Sequence, residues 1–127
     1  MFTFGNKHFI MRNILLFVLI ISSQCVLAQI ESQPISKFSG FDSAKEILLD
    51  VRTPQEYKEG SIHGAININW LSNDFDEKVT KLDKTKKVYV FCKKGGRSLK
   101  SQARLVELGF NNVVDLQGGY DAYSCKD

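Results

Sequence analysis

The chain has 127 residues, of which 43% are hydrophobic, and a formal net charge of +3. This length supports one globular domain and no more. The charge is small and the basic residues are dispersed, which argues against nucleic acid and against electrostatic binding to a membrane surface.

The first 28 residues are predicted to be a signal peptide. A weakly basic start with Lys7 and Arg12 precedes an unbroken apolar run over residues 14–21, and residues 26–28 provide the small side chains that a signal peptidase reads. The apolar run is shorter than the roughly 20 residues of a membrane-spanning helix. We therefore expect cleavage before Gln29, no stable membrane span afterwards, and export to the periplasm.

Three features of this export prediction stay open at the sequence level. Met11 could be the true start, which would make residues 1–10 an artefact of an upstream start codon. Cys25 could carry a lipid as in a lipoprotein, although Gln24 before it is a poor residue for that processing. The oxidising compartment that export implies would also permit a disulfide between Cys92 and Cys125.

The remaining segment, residues 29–127, alternates short apolar strands with helices of about ten residues or fewer. Asp42 or Ser43 could cap a very short helix, and Thr53, Pro54 and Glu56 form a compact helix start. The predicted strands are residues 35–38 at an edge, 47–51, 65–68, 88–91 and 113–116; the predicted longer helices are residues 73–82 and 98–108.

The predicted strands are continuously apolar and do not alternate with polar residues, which is typical of a parallel sheet covered on both faces. The fold class is therefore α/β. Ligands of such sheets bind beyond the carboxyl ends of the strands. Cys92 follows the apolar run Val88–Phe91 at such an end.

The segment after this strand has the composition of a reactive-cysteine loop. Cys92 is followed by Lys93-Lys94-Gly95-Gly96-Arg97-Ser98 and then by a helix. Unpaired amide N–H groups, the positive end of the helix dipole and nearby Lys and Arg side chains favour the thiolate form of such a cysteine. An isolated cysteine after a strand is more often an inert core residue. Here the Gly-Gly-Arg-Ser sequence that follows at this spacing favours a reactive cysteine instead.

Several motifs in register resemble a single rhodanese domain over about residues 35–123. They are Leu49-Asp50-Val51-Arg52, Glu56-Tyr57, the segment from Gly60 to Ile68, the loop from Cys92 to Arg97, and Leu116-Gln117-Gly118-Gly119. The resemblance implies a five-stranded parallel sheet with helices on both faces and a catalytic, persulfide-forming Cys92. It also implies a sulfurtransferase that moves sulfane sulfur from a donor such as thiosulfate to cyanide or a thiol. Ser61 departs from the histidine usual in this family.

Residue roles follow from this resemblance and from the loop chemistry. The amides of the loop would hold the persulfide, Gly95 and Gly96 would let the loop bring them close, and the lysines would attract an anionic donor. The residues assigned to substrate binding are Lys93, Lys94, Gly95, Gly96, Arg97 and Ser98. Those assigned to structural support are Asp50, whose carboxylate would accept N–H groups of the next turn, and Arg52 with Glu56, as an ion pair. No residue spacing suggests a metal site or a cofactor.

Two other functions remain to be separated from sulfur transfer. One is a persulfide carrier or redox-partner module that works with another exported protein and turns over little by itself; an exposed apolar rim beside Cys92 would favour it. The other is a cysteine phosphatase or arsenate reductase on the same scaffold. Those relatives have one more loop residue, whereas only four residues separate Cys92 from Arg97.

Overall fold

The computed structural model describes residues 4–22 and 28–126. Its strands are β1 (Gln29–Pro34), β2 (Glu46–Asp50), β3 (Ile66–Asn67), β4 (Lys87–Phe91) and β5 (Asn112–Gln117). Its helices are α1 (Phe4–Ser22), α2 (Pro54–Glu59), α3 (Phe75–Val79), α4 (Gly96–Glu107) and α5 (Gly119–Ser124), with a short 3-10 helix at Ile35–Lys37.

All five strands form one parallel sheet in the order β1-β5-β4-β2-β3. The register aligns Val90 of β4 with Leu49 of β2 on one side and with Asp115 of β5 on the other. The α/β class and the five-stranded parallel sheet predicted from the sequence are therefore confirmed.

Two separate apolar clusters explain why the strands lack polar alternation. Leu49, Val90 and Val113 point to one face of the sheet, where they pack with Leu105 of α4. Leu48, Phe91, Val114 and Leu116 point to the other face, where they pack with Ile35. Because both faces are covered, successive residues of a strand must both be apolar.

The edge strand predicted at residues 35–38 is wrong, because the strand that pairs with β5 is β1, immediately before it. Ile35 and Phe38 are buried instead by a 3-10 turn, in which the Phe38 amide donates to the Ile35 carbonyl over 3.0 Å. The short helix predicted at Asp42 or Ser43 is a turn that leads directly into β2, since the amides of Lys45 and Glu46 both donate to the Asp42 carbonyl.

The predicted helix at residues 73–82 is limited to α3, and its last residues form turns in which the Leu82 amide donates to the Val79 carbonyl over 3.0 Å. The predicted strand at 65–68 is also shortened to Ile66–Asn67. The other predicted elements differ from the observed ones by one or two residues at each end, the usual scatter of helix and strand boundaries.

Apolar periodicity over residues 98–108 predicts a buried stripe of Leu99, Ala103 and Val106, widened by Leu105 and Leu108. The structure buries this stripe only in part: Leu105 is buried, and Val106 and Leu108 pack half-buried against the same cluster. Leu99 is 56% exposed and Ala103 is exposed, while the face toward the sheet is mostly polar. The buried residues of the helix are Ser98, Ser101, Gln102 and Leu105. Their polar groups have partners, as buried polar groups require: the Gln102 side-chain amide donates to the backbone carbonyls of Glu31 in β1 and Val113 in β5, over 2.7 and 3.0 Å.

The N-terminal predictions fall partly outside the described residues. Cys25 and most of the expected cleavage sequence lie within residues 23–27, which are not described. The apolar run at residues 14–21 lies within α1. In the described ranges, no helix combines the length and apolarity that crossing a membrane requires.

Candidate active site

Cys92 lies directly after β4, at the carboxyl edge of the sheet, and is 1% exposed. Its sulfur accepts a hydrogen bond from the Gly95 amide, with an N···Sγ distance of 3.0 Å. The thiol faces the Ser98 hydroxyl at the start of α4, with an Sγ···Oγ distance of 3.5 Å. The sulfur therefore has a backbone donor on one side and a hydroxyl on the other.

The carbonyl groups of the loop are bonded to a different part of the chain. Cys92 O accepts from the Tyr120 amide over 2.8 Å, and Lys93 O accepts from the Asp121 amide over 3.1 Å. Both donors belong to the first turn of α5. Because these carbonyls are held by α5, their negative ends are not available to face an anionic sulfur.

This contact requires Gly119, which sequence reasoning placed in a motif without a role in the site. A Cβ atom at this position would lie 2.4 Å from Lys93 O and 2.6 Å from Cys92 O, far inside van der Waals contact. The φ angle of Gly119 is +66°, a left-handed conformation. Two glycines in succession after a strand were the available signal, because Gly118 also has a positive φ.

Arg97 forms an ion pair with Glu56 of α2 across the site. Its two terminal nitrogens donate to the two carboxylate oxygens over 2.7 and 2.9 Å. Glu56 is held in place by a capping box with Thr53, the helix start predicted from the sequence. The predicted pairing of Arg52 with Glu56 is therefore wrong, because Glu56 pairs with an arginine of the cysteine loop.

Hydrogen bonding by Arg97 lowers the pKa of Glu56 from its usual 4.5 to about 2, and the same contact raises the pKa of Arg97. The pair is about three-quarters buried, so it is stronger than a fully exposed ion pair. Both groups are charged at neutral pH. The pair thus ties the start of α4 to α2.

Asp50 and Arg52 form a second, buried pair at the end of β2. Asp50 accepts from the Arg52 side chain over 2.8 Å and from the Arg52 amide over 3.0 Å, which holds the turn after the strand. The Ser61 hydroxyl also donates to Asp50, over 2.8 Å, and Arg52 donates to the Gly60 carbonyl over 2.6 Å. The Arg52 guanidinium lies 4.4 Å from the centre of the Tyr120 ring, so this pair supports α5.

The lysines and glycines of the loop differ in their exposure and in their contacts. Lys93 and Lys94 are exposed, and the Lys93 ammonium lies 3.7 Å from the Asp121 carboxylate. Gly95 precedes α4 with a φ of +122°. Gly96 begins the helix, and a Cβ there would meet no atom within 4 Å. Of the loop residues predicted for the site, the structure brings only Gly95 and Ser98 into contact with the Cys92 sulfur.

Cys92 and Cys125 are both free, Cys92 buried and Cys125 exposed. The disulfide left open by the sequence is thus not formed in this structure. Within the described ranges, no three His, Cys, Asp or Glu side chains lie close enough together to hold a metal ion.

Sequence reasoning did not include Asp115, which is 3% exposed in β5 on the side of the sheet that carries α4. The available signal was a carboxylate inside the apolar run Val113–Leu116. A buried carboxyl group is costly and is common where a protein uses a titrating group.

The Glu56–Arg97 pair predicts a specific loss of stability in acid. A carboxylate whose folded pKa is depressed stabilises the protein above its unfolded pKa of 4.5 and loses this contribution as the pH falls toward 2. We expect Glu56→Gln to lower the free energy of unfolding near neutral pH by about 1–2 kcal/mol, and by roughly half of that or less near pH 3. Urea unfolding at the two pH values measures the difference.

Glu59→Gln is the matched control for this prediction. Glu59 is exposed on the same helix, and its carboxylate accepts from Gln55. The control should change the free energy of unfolding little at either pH. An equal loss for both variants would mean that the pairing with Arg97 is not the source of the effect.

Comparison with known proteins agrees with this geometry. Residues 38–126 match the family described as the rhodanese-like domain. The chain belongs to this family. The rhodanese resemblance found in the sequence is therefore confirmed.

Individual relatives give the same result. A chloroplastic thiosulfate sulfurtransferase of Arabidopsis thaliana is 37% identical over 86 residues, which are 60% of this chain and 72% of that protein. The crystal structure of a rhodanese-related protein from Thermoplasma volcanium is 36% identical and superposes with a TM-score of 0.58, covering 65% of this chain and 80% of that one.

Some relatives are much longer than this chain. An adenylyltransferase and sulfurtransferase of Meyerozyma guilliermondii is 30% identical over 93 residues, which are 67% of this chain but 22% of that protein. This chain therefore matches only about a fifth of that protein's length.

Proposed function

We propose that this protein is a sulfurtransferase that carries a sulfane sulfur on Cys92. The observation that carries the proposal is the hydrogen bond from the Gly95 amide to the Cys92 sulfur at the carboxyl edge of the sheet. An inward-pointing amide stabilises negative charge on sulfur, and both a thiolate and a persulfide carry that charge. The rhodanese-like family and the sulfurtransferase relatives support the same class of reaction.

The proposed donor is a small anion such as thiosulfate. The Cys92 thiolate attacks its outer sulfur and forms a new S–S bond. The S–S bond of the donor breaks, and sulfite leaves with the electron pair. The product on the enzyme is a Cys92 persulfide anion.

In the second half-reaction, the acceptor attacks the outer sulfur of the persulfide. Cyanide as the acceptor gives thiocyanate, and a thiolate acceptor gives a new persulfide. In both cases the electron pair of the broken S–S bond returns to the Cys92 sulfur. The cycle restores the starting thiolate. No metal or organic cofactor enters this proposal.

The loop residues have different proposed roles. The Gly95 amide and the Ser98 hydroxyl hold the sulfur, since they are the groups in contact with it. The exposed Lys93 and Lys94 attract the anionic donor. Arg97 positions the loop through Glu56.

The engagement of Arg97 argues against a phosphatase or an arsenate reductase. Those reactions need room for a tetrahedral oxyanion and a guanidinium that faces it. Here both terminal nitrogens of Arg97 are bonded to Glu56, and the loop between Cys92 and Arg97 has only four residues. The site therefore suits a single sulfur atom better than it suits a tetrahedral oxyanion.

A persulfide carrier is the second candidate, favoured by the apolar residues at the rim. Leu99 follows Ser98 and is 56% exposed, and Leu71 is 65% exposed. The Trp70 amide donates to Val51 O, and the Val51 amide donates to Phe91 O, so residues 70 and 71 lie at the same edge as Cys92. A carrier would load Cys92 readily but pass sulfur to cyanide slowly, since its acceptor would be a protein docked on this rim.

Export is part of the proposal, with the N-terminal 28 residues as the leader and a periplasmic domain after cleavage. Its support is the basic start, the apolar run and the small residues before Gln29. The N-terminal sequence of the protein recovered from cells tests it. A chain beginning at Gln29 supports export, a lipid-bearing chain beginning at Cys25 supports the lipoprotein alternative, and an intact leader contradicts both.

The decisive experiment for sulfur transfer is intact-mass measurement after treatment of the reduced protein with thiosulfate. We expect one added sulfur atom, mapped to Cys92 by peptide analysis and removed by cyanide. The same gain in mass is expected for Cys125→Ser, because Cys125 is exposed at the end of α5 and outside the loop. An unmodified Cys92 in the reduced protein would contradict the proposal.

A further inference from the structure

A cavity of about 570 Å³ lies on the face of the sheet opposite α4. Phe38 and Ile62, which belong to the apolar cluster of that face, form its floor, and Tyr120 and Tyr123 of α5 contribute to its wall. Among the described residues that line it, none belongs to the Cys92 loop. Its volume is typical of cavities that bind small molecules, and the sulfur-transfer steps above make no use of it.

The cavity exists because this face of the sheet has a thin cover. The other face is covered by α3 and α4, whereas residues 38–45 contain no helix and lead through the Asp42 turn directly into β2. The helix α5, which packs on the thinly covered face, has only six residues. Apolar side chains that a longer helix would bury, such as Phe41, therefore line a cavity.

The cavity combines aromatic walls with a basic rim. The Tyr120 and Tyr123 rings are stacked, with their centres 6.1 Å apart. His63 and Lys126 also line the cavity and are exposed, and no Asp or Glu is found among its described lining residues. The Lys126 ammonium donates to the Phe38 carbonyl over 3.3 Å, which places its charge beside the cavity. Stacked rings favour a flat aromatic group, and the basic side chains favour negative charge on that group.

Tyr120 connects the cavity to the cysteine loop. Its amide donates to Cys92 O over 2.8 Å, and the next amide, that of Asp121, donates to Lys93 O over 3.1 Å. The side chains of α5 thus form a wall of the cavity, while its first amides hold the loop carbonyls. A molecule that packs between α5 and Phe38 binds best when α5 is docked, so its binding stabilises these two hydrogen bonds.

We propose that this cavity binds a flat aromatic molecule that carries a carboxylate, and that binding holds α5 against the cysteine loop. The rings of Tyr120 and Tyr123 pack against the aromatic part of the ligand, and Lys126 with His63 attracts its carboxylate. The ligand lies away from the Cys92 sulfur, so it neither gives nor accepts sulfur, and no covalent step is involved.

The test is an NMR titration of the protein recovered from cells, with indole-3-acetate as the aromatic carboxylate and indole-3-acetamide as an uncharged molecule of the same size. We expect a Kd of about 0.1–1 mM for the carboxylate and at least about fivefold weaker binding of the amide. Equal affinity for both molecules, or no binding of indole-3-acetate up to about 10 mM, would overturn the proposal.

Excess thiosulfate distinguishes this cavity from the cysteine loop as the place where the carboxylate binds. We expect the Kd of indole-3-acetate to be unchanged by thiosulfate, because no described lining residue of the cavity belongs to the loop. Binding that thiosulfate prevents would place the carboxylate at Cys92 and contradict a separate site. Binding that weakens as the protein concentration rises would show that a second copy of the chain fills the cavity instead.

Variants of the cavity separate the contribution of charge from that of the aromatic wall. Lys126→Gln should weaken the binding of indole-3-acetate at least about fivefold and leave that of the amide within about twofold. Tyr123→Leu, which removes a ring but keeps an apolar side chain, should weaken both. Lys100→Gln is the matched control, because Lys100 is exposed on α4 at the other face of the sheet. Equal effects of the two lysine variants, or an unaffected Tyr123→Leu, would overturn the assignment of the site.

Hydrogen exchange of the Tyr120 and Asp121 amides measures the effect on α5. At saturating indole-3-acetate, we expect both amides to exchange at least about threefold more slowly. The Leu108 amide, which donates to Arg104 O at the end of α4, should change little. Unchanged exchange at Tyr120 and Asp121 would overturn the hold on α5. These measurements need no sulfur donor, so a Cys92 that takes up no sulfur contradicts the sulfur-transfer function alone.

Discussion

Replacing Cys92 by serine is expected to lower thiocyanate formation from thiosulfate and cyanide by more than about a thousandfold, to the level of the reaction without enzyme. A serine hydroxyl is not ionised at neutral pH and cannot hold a sulfane sulfur as a persulfide. The side chain is nearly isosteric and its amide donor remains, so the fold should be kept, with a change in unfolding free energy of about 1 kcal/mol.

Cys125→Ser is the control that distinguishes the loss of Cys92 itself from the loss of any one cysteine thiol. Cys125 is exposed and follows α5, so its removal should leave the rate of thiocyanate formation within about twofold of wild type. Sulfur transfer that survives Cys92→Ser, or that disappears in Cys125→Ser, would move the reactive sulfur away from the cysteine loop.

Gly119→Ala is expected to lower the free energy of unfolding by about 2–4 kcal/mol and to remove most sulfur-transfer activity. The added Cβ would collide with Lys93 O and Cys92 O, so the loop or α5 must move. Either movement breaks the bond from the Tyr120 amide to Cys92 O and frees a carbonyl beside the sulfur. Urea unfolding and the thiocyanate assay measure the two effects.

Gly40→Ala is the control for the part of the Gly119→Ala stability loss that comes from backbone conformation alone. Gly40 has a φ of +128°, but a Cβ atom there would meet nothing within 4 Å. Its replacement should cost about 1 kcal/mol of unfolding free energy and little activity. If both alanine variants behaved alike, the close approach of α5 to the cysteine loop would not matter for the site.

The sheet could be predicted from the sequence because its signals are local. Apolar runs such as Val88–Phe91 mark the buried strands, and the glycines after Cys92 mark a tight loop. Parallel pairing then brings the ends of β4 and β2 to one edge, so Cys92 and Asp50 could be assigned to the same region without a structure.

The partners of the charged residues could not be predicted in this way. Glu56 is four residues from Arg52 and forty-one from Arg97, yet it pairs with Arg97. Which arginine pairs with Glu56 depends on how α2 and α4 are placed over the sheet, and Arg52 is already held by Asp50. Distance along the sequence favours Arg52 as the partner of Glu56, whereas the folded geometry brings Arg97 to it.

The buried face of α4 was predicted only in part, for a related reason. Apolar periodicity points to Leu99 and Ala103, but the helix begins at the cysteine loop, and this fixes its rotation. Ser98 must face the sulfur, and Ser101 and Gln102 follow on the same side, where backbone carbonyls satisfy them. The contact of Ser98 with the Cys92 sulfur and the partners of Gln102 thus set the rotation of the helix against its apolar pattern.

The order of the strands has a consequence for when the molecule can fold during its synthesis. β1, the first strand made, pairs with β5, the last, and α5 follows β5 to hold the cysteine loop. Closing the sheet therefore waits until β5 and α5 have left the ribosome. For a chain with the proposed leader, we expect this delay to keep the domain unfolded and competent for translocation.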